Sequence, residues 1–154
     1  MAQIHTYGTS SNNKLDLAHP EIARVMRRAI KMTPVAIDLT IVWTYRNKAE
    51  QNGIDPRFTN ARWPSSYHNA ELDDGTPCSE AVDFAPLVNG KIPWADTKLF
   101  AYVAGIIYAA AVIEDVELVW GCDFDSDGDT TDQSLADVGH FQRKKAAKRP
   151  PAEA

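Results

Sequence analysis

At 154 residues the chain is long enough for one domain that buries about two-thirds of the surface of its unfolded form. Hydrophobic residues make up 44% and charged residues 24%, which is usual for a globular protein. The net charge of −5 and the pI near 5.3 give no electrostatic reason to expect nucleic acid as a partner.

The N-terminus lacks the basic start and the apolar run of a signal peptide. The longest apolar stretch, 100–113, is 14 residues long and too short to cross a bilayer. We therefore expect a protein that is made in a cytoplasm, does not associate with membranes, and leaves only if something else releases it.

The first half of the chain predicts a helix, a strand and a second, short helix. Pro20 opens a helix to about residue 31, because proline suits a first turn and apolar residues then recur on one face. Alternating apolar residues from 35 to 43 predict a half-buried strand. The short helix, over 47–52, ends at Gly53.

The second half begins with a polar, turn-rich stretch over 59–77. A short strand over 81–85 follows and ends at Pro86, and a long helix spans about 97–113 with Asp96 as its cap. Strands are predicted at 117–120 and around 140–142, on either side of an acidic loop.

Helices interleaved with short strands, without a regular βαβ rhythm, indicate an α+β fold. We expect a single domain over 1–142, followed by a basic tail rich in proline and alanine over 143–154. The tail is expected to be disordered and solvated, although its charge could also favour approach to an anionic cell wall.

Two cysteines, Cys78 and Cys122, are too few for a disulfide framework. Reduced thiols are the default in a cytoplasm. Both cysteines lie near candidate site residues in the sequence, so a bridge or a metal contact stays open as an alternative.

Four histidines are candidates for chemistry, and two of them have carboxylates and polar loops around them. His5 and His19 are most simply structural or solvated. Asp137 precedes His140 by three residues at the mouth of a strand, and His68 lies in a polar loop.

Asp83 follows His68 on a short apolar strand, where a buried charge needs a partner such as a metal. Zinc accepts imidazole and carboxylate ligands, and a catalytic zinc site leaves one position for water. An unligated carboxylate must then take the proton of that water. Each fragment alone is also consistent with a structural role, since strand alternation could turn Asp83 outward.

Together, the segments form an ordered set that spans most of the chain. They are His19-Pro20, Ile41-Val42-Trp43-Thr44-Tyr45-Arg46, Glu50-Gln51, Ser66-x-His68, Ala81-Val82-Asp83-Phe84-Ala85-Pro86, Gly90-Lys91-Ile92-x-Trp94, Trp120-Gly121 and Asp137-x-x-His140-Phe141. The set resembles the D-alanyl-D-alanine carboxypeptidase and L-alanyl-D-glutamate endopeptidase family of zinc peptidases, in particular small phage endolysins.

The resemblance implies a small antiparallel sheet flanked by helices, in a Hedgehog/D,D-peptidase-like zinc peptidase fold. It also implies three zinc ligands, a catalytic base and two residues at the substrate, one of which also serves catalysis. These are, in turn, His68, Asp83 and His140; Asp137; and Arg46 and Ser66, with Arg46 in both roles.

The implied function is zinc-dependent hydrolysis of the L-alanyl-D-glutamate bond in the peptidoglycan stem peptide, which lyses the cell. We expect a monomer in the host bacterial cytoplasm that acts on the wall in the periplasm after release. One alternative is a D-alanyl-D-alanine carboxypeptidase with the same metal site. Another is a non-catalytic, metal-stabilised wall-binding module, against which Asp137 argues because a structural zinc site closes its fourth position.

The chain departs from the family pattern between the first histidine and the aspartate. The family usually has six intervening residues, whereas 14 residues, 69–82, intervene here. The segment 71–77 therefore resembles an insertion, and its carboxylates are rival ligands. Gln142 replaces a common glutamate and Cys122 a common glycine, and we expect neither to touch the proposed ligands.

The acidic loop over 123–134 begins like a calcium loop, with Asp at positions 1, 3 and 5 and Gly at position 6. Position 12 is Ser134 instead of a bidentate glutamate. Calcium binding and a solvated acidic loop both stay open. The candidate calcium ligands are Asp123, Asp125, Asp127 and Asp129.

Overall fold

A computed structural model describes residues 4–131 and 136–144. Within these residues the helices and strands follow in a mixed order. They are α1 Thr9–Leu15, α2 Pro20–Ala29, β1 Asp38–Trp43, α3 Lys48–Asn52, β2 Ala81–Leu87, α4 Thr97–Ile113, β3 Leu118–Trp120 and β4 His140–Arg143. Short 3-10 turns lie at Ile30–Met32 and Tyr67–Asn69.

The four strands form one antiparallel sheet in the order β1-β2-β4-β3. On the two central strands, Asp83 of β2 lies directly opposite His140 of β4, at the end of their ladder. A register shift in β1 before Trp43 brings that residue opposite Asp83 as well. The predicted α+β class and the small antiparallel sheet with flanking helices are therefore confirmed.

The core lies between this sheet and two helices, α2 and α4, which pack against each other. The apolar face of α2 turns inward as its spacing predicts. Three aromatic rings from β2, α4 and β4 meet in the core, with ring centroids 6.0 and 5.8 Å from Phe84. The largest buried side chains include Ile22, Met26, Ile41, Phe84, Phe100, Ile107 and Phe141.

Helix α4 has the predicted bounds, and helix α3 begins one residue later than predicted. Helix α4 begins after Asp96, whose carboxylate accepts the backbone N–H of Leu99 at 3.0 Å. Helix α3 is capped by Asn47 and ends at Gly53. Helix α2 is slightly shorter than predicted, because its last turn tightens into the 3-10 turn at Ile30–Met32.

Strand bounds differ more from the prediction. Strand β1 begins at Asp38 and not at residue 35, because Ile37 N–H closes a turn onto the carbonyl of Pro34. The predicted end of β2 at Pro86 is wrong, since Pro86 lies inside the strand opposite Leu39. Strand β4 covers only Ala81–Asp83 of β2, so the ring nitrogen of Pro86 faces an unpaired edge where no N–H is needed.

Two further features were not expected. Helix α1 buries Leu15 and Ser11, and the Ser11 hydroxyl accepts the N–H of Ile41 at 3.0 Å. Arg143, which the sequence assigned to the tail, is the last residue of β4 and donates to Glu80 at 2.8 Å. Residues 145–154 of the predicted tail lie outside the described residues. Within the described part, none of the helices is long and apolar enough to span a membrane.

Two glycines allow the backbone to approach the end of the sheet closely. A Cβ atom at Gly121 would lie 2.3 Å from the carbonyl oxygen of Asp137, and one at Gly139 would lie 2.8 Å from that of Phe84. Both contacts are with backbone atoms, so neither can be relieved by turning a side chain. The turn that leads into His140 therefore depends on the absence of side chains at these positions.

We predict that Gly139→Ala lowers the free energy of unfolding by about 1–3 kcal/mol, as overpacking does. Gly105→Ala is the matched control, because a Cβ there meets open space on the outside of α4. Alanine in a helix interior should stabilise the protein by about 0.5–1 kcal/mol. Thermal unfolding of the three proteins measures both effects, and equal melting temperatures for both variants would contradict the close approach.

Candidate active site

Three predicted site residues come together at one end of the sheet. The register of β2 and β4 sets Asp83 beside His140, and the 3-10 turn at Tyr67–Asn69 brings His68 from the preceding loop. One ligand atom from each residue lies within 4.8 Å of the others. The imidazole ring centroids are 5.3 Å apart.

The backbone around His68 is held by a reciprocal cap. The Ser66 hydroxyl accepts the N–H of His68 at 3.2 Å, and the Asn69 side chain accepts the N–H of Ser66 at 3.0 Å. The His68 Nδ1 lies 2.6 Å from the carbonyl oxygen of Thr44. A carbonyl only accepts, so Nδ1 carries the hydrogen and Nε2 keeps a lone pair. Ser66, predicted to contact substrate, lines the cleft but also positions His68.

Both ring nitrogens of His140 have an oxygen partner. Its Nε2 lies 3.0 Å from the amide oxygen of Gln142, and its Nδ1 lies 2.9 Å from Asp83 Oδ1. The expectation that Gln142 does not touch a proposed ligand is therefore wrong. Residues two apart in a strand share a face, so Gln142 and His140 lie side by side.

The lone pairs of this cluster test whether the residues fit a metal. His68 Nε2 is buried, has no hydrogen-bond partner, and lies 3.3 Å from Asp83 Oδ1. His140 Nδ1 lies 2.9 Å from the same carboxylate oxygen, so two imidazole nitrogens and one carboxylate oxygen converge, and a cation between them would satisfy the lone pair of His68 Nε2. Two imidazoles and one carboxylate are a ligand set that zinc uses in catalytic sites. The residues therefore fit a zinc ion.

Arg46 forms an ion pair with Asp83. Its Nη2 donates to Asp83 Oδ2 at 2.9 Å, which leaves Oδ1 for the imidazoles. The guanidinium carbon lies 5.3 Å from the centroid of the Trp43 ring, and the side chain is only 11% exposed. The sequence predicted that Arg46 contacts substrate, and the structure places it chiefly against a proposed metal ligand, although it also lines the cleft.

Two further polar residues, Gln51 and Asn69, contact Arg46, and the sequence predicted no role for them. Buried Gln51 accepts from Arg46 Nη1 at 3.4 Å and from Asn69 Nδ2 at 3.1 Å. Its own amide donates to the carbonyl of Ala61 at 3.0 Å. The segment Glu50-Gln51 of the family pattern could have indicated this role, because its glutamine lies buried on a short helix.

Burial and charge oppose each other in the cluster. Burial would raise the pKa of Asp83, but the charge of His68 and the hydrogen bond and charge of His140 lower it far below its usual value. Burial would lower the pKa of His140, whereas the hydrogen bond and charge of Asp83 raise it overall. A proton on His140 and a metal ion would therefore compete for the same nitrogen.

Asp137 lies at the rim of the same cleft without belonging to the cluster. Its N–H donates to Gly121 at 2.8 Å, and its Oδ1 accepts the N–H of Gly139 at 3.3 Å. Although the residue keeps solvent contact, partial desolvation by the cleft walls and then the charge of Asp83 raise its pKa. A carboxylate with a raised pKa is suited to proton transfer.

The cleft above the cluster has a volume of about 720 Å³ and is open to solvent. Its walls carry two exposed aromatic side chains, Phe58 at 77% and Phe124 at 39% exposure. His68, Asp83 and His140 all line it. A cleft of this size and openness can receive an extended peptide.

The insertion supplies no rival ligand among the described residues. It forms a small hairpin in which Glu71 pairs with Pro77, and the Glu71 carboxylate accepts the hydroxyl of Tyr45 at 2.5 Å. Cys78 and Cys122 are buried free thiols, and neither belongs to a metal-binding group in the described part of the chain.

Three of the four candidate calcium ligands, Asp123, Asp125 and Asp127, also lie within 4.8 Å of one another. Asp129 instead accepts the N–H of Thr131 at 2.8 Å. Residue 134, at position 12 of the loop, lies outside the described residues. Exposed acidic groups commonly cluster without an ion, so calcium binding stays a prediction.

Comparisons with known proteins identify the family of this chain. A family model described as phage L-alanyl-D-glutamate peptidase matches residues 4–143. The chain belongs to this family. It is 31% identical over 140 residues to the L-alanyl-D-glutamate peptidase of Escherichia phage T5, covering 88% of this chain and 96% of that protein. The family resemblance stated from the sequence is thus confirmed.

A solved structure shows the same fold. The L-Ala D-Glu endopeptidase ChiX of Serratia marcescens superposes with a TM-score of 0.67 and covers 90% of both chains. The two sequences are only 22% identical, so this likeness concerns the fold alone.

We predict that Ala at His68, Asp83 or His140 reduces bound zinc from about one ion per chain to a trace, because each removes a ligand. His5→Ala is the control, since His5 lies outside the cluster and contacts the carbonyl of Val35 and the carboxylate of Asp38. Elemental analysis after dialysis measures the zinc. Zinc at 100 times its Kd should stabilise the wild type by about 2.7 kcal/mol. Full zinc occupancy in all three ligand variants would exclude this site.

Proposed function

We propose that this chain is a zinc-dependent peptidase that hydrolyses the L-alanyl-D-glutamate bond of the peptidoglycan stem peptide. Membership of the family and the 31% identity to the phage T5 enzyme support the bond. The observation that carries the metal-dependent part is the convergence of one possible ligand atom from each of His68, Asp83 and His140 in an open cleft.

When bound, zinc would supply a Lewis acid that polarises the scissile carbonyl and lowers the pKa of water. Asp137 is the proposed base, which takes the proton of the attacking water and delivers it to the departing nitrogen of D-glutamate. The raised pKa of Asp137 suits both the uptake and the delivery of the proton, because a carboxylate with a very low pKa would take the proton less readily and would lose it to solvent.

The remaining residues hold this arrangement in place. Arg46 fixes the Asp83 carboxylate through Oδ2, and Ser66 fixes the turn that carries His68. Direct contact of Arg46 or Ser66 with the substrate stays part of the proposal. Arg46 would place positive charge near the reacting carbonyl while it keeps its ion pair with Asp83.

The proposed setting is bacterial lysis by a phage. The chain would be made in the host cytoplasm, reach the periplasm through a membrane lesion made by another protein, and act there as a monomer on the wall. Its partner is then the stem peptide of peptidoglycan, and neither nucleic acid nor membrane is a partner.

We predict that Asp137→Asn leaves zinc bound and lowers kcat by about 10²–10⁴-fold, the usual contribution of general acid–base catalysis. Asparagine still accepts the N–H of Gly139 but cannot take a proton, so the turn is kept. Turnover of purified muropeptides measures the effect. Asp73→Asn, an exposed carboxylate in the insertion, is the control and should match the wild type. Undiminished turnover by Asp137→Asn would remove Asp137 from the mechanism.

The bond that is cut separates this proposal from its nearest rival. We predict that purified muropeptides yield a peptide with a new N-terminal D-glutamate, as identified by mass spectrometry. A D-alanyl-D-alanine carboxypeptidase would instead release only free D-alanine and leave the L-alanyl-D-glutamate bond intact. A wall-binding module would sediment with peptidoglycan and release neither product.

A further inference from the structure

Gln142 follows His140 by two residues on β4 and lines the floor of the cleft. It is half-buried, and its amide oxygen lies 3.0 Å from His140 Nε2. The mechanism proposed above assigns no task to this side chain, although it touches a ligand of the proposed zinc site.

We propose that Gln142 is a positioning residue that selects the tautomer through which His140 binds zinc. This inference rests on the proposed zinc site. A neutral imidazole carries one hydrogen, on either Nδ1 or Nε2, and binds a metal only through the other nitrogen. The partner of the second nitrogen therefore decides which lone pair is available.

Two acceptors compete for the hydrogen of His140. Asp83 Oδ1 lies 2.9 Å from Nδ1 and would attract a hydrogen there. In that tautomer the lone pair that faces His68 and Asp83 is lost, and the cluster closes on itself. The Gln142 amide oxygen offers Nε2 a competing bond of similar length, which leaves Nδ1 free for the ion.

His68 shows the same arrangement with a backbone partner. Its Nδ1 donates to the Thr44 carbonyl at 2.6 Å, and its Nε2 is the buried atom without a hydrogen-bond partner. Each imidazole thus has one nitrogen tied to an oxygen acceptor outside the cluster and the other directed at Asp83. Gln142 is the side-chain counterpart of the Thr44 carbonyl.

A glutamine fulfils this role in only one of its two amide orientations. If the amide were reversed, its NH₂ group would donate to Nε2 and drive the hydrogen onto Nδ1. A glutamate has acceptor oxygens only and cannot favour the closed tautomer in this way. Gln142→Glu should therefore keep the metal-binding tautomer, whereas a side chain without an acceptor should not.

The test measures zinc affinity at constant pH by competition with a chromophoric chelator. Gln142→Met keeps the length of the side chain but removes the acceptor, and zinc should bind about 10–100-fold more weakly, as after loss of other outer-shell partners. Gln142→Glu should bind zinc as tightly as the wild type or more tightly. The melting temperature of each metal-free variant serves as the control for folding.

Equal zinc affinity in the wild type and Gln142→Met would overturn the inference. A loss of zinc affinity of tenfold or more in Gln142→Glu would also overturn it, because this variant keeps an acceptor. The glutamate variant thus provides a test even if Gln142→Met does not fold. A wild type that cuts muropeptides but binds no zinc would overturn the metal site itself. The failure of the inference alone, with zinc bound equally by all variants, is therefore distinguishable from failure of the proposed function.

Discussion

The approach of the Asp83 carboxylate to the imidazoles of His68 and His140 is the interaction on which the rest of the site depends. Asp83 and His140 face each other because β2 and β4 pair in one register. If one strand slipped by one residue, the two side chains would lie on opposite faces of the sheet. The close approach of Gly139 to Phe84 locks that register at the end of the sheet. The chemistry of the site is therefore bound to the packing of the core beneath it.

Bringing these groups together has a cost that the surrounding residues only partly offset. Each proposed ligand has one atom satisfied from outside the cluster, by Thr44, Gln142 or Arg46. Within the described residues, His68 Nε2 and Arg46 Nε are the buried side-chain atoms without a hydrogen bond, and such atoms cost about 1–3 kcal/mol each. A bound ion would satisfy the first of them, so metal binding and folding stability are linked.

The sequence predicted those features that local chemistry determines. Helix α4 and its Asp96 cap follow from apolar spacing and one capping residue. The proposed ligands follow from residue type and order within a family pattern. The inclusion of Pro86 in β2, the place of Arg143 in the sheet and the contact of Gln142 with His140 were not predictable in this way. The first two depend on which strand lies alongside, a non-local fact that periodicity does not contain, whereas the contact of Gln142 follows from the two-residue period of β4 once its exact bounds are known.

The insertion between His68 and Asp83 shows why sequence spacing is a poor guide to this site. The hairpin closes on itself, because the N–H of Cys78 donates to the carbonyl of Ala70 at 3.0 Å. Its ends are thus one hydrogen bond apart, so the hairpin adds residues without adding distance between the turn before it and the segment that leads into β2. Lengthening such a loop costs little conformational entropy, since the closure cost grows only with the logarithm of its length. The distance across the base of the loop, and not the number of residues within it, therefore fixes the geometry of the proposed ligands.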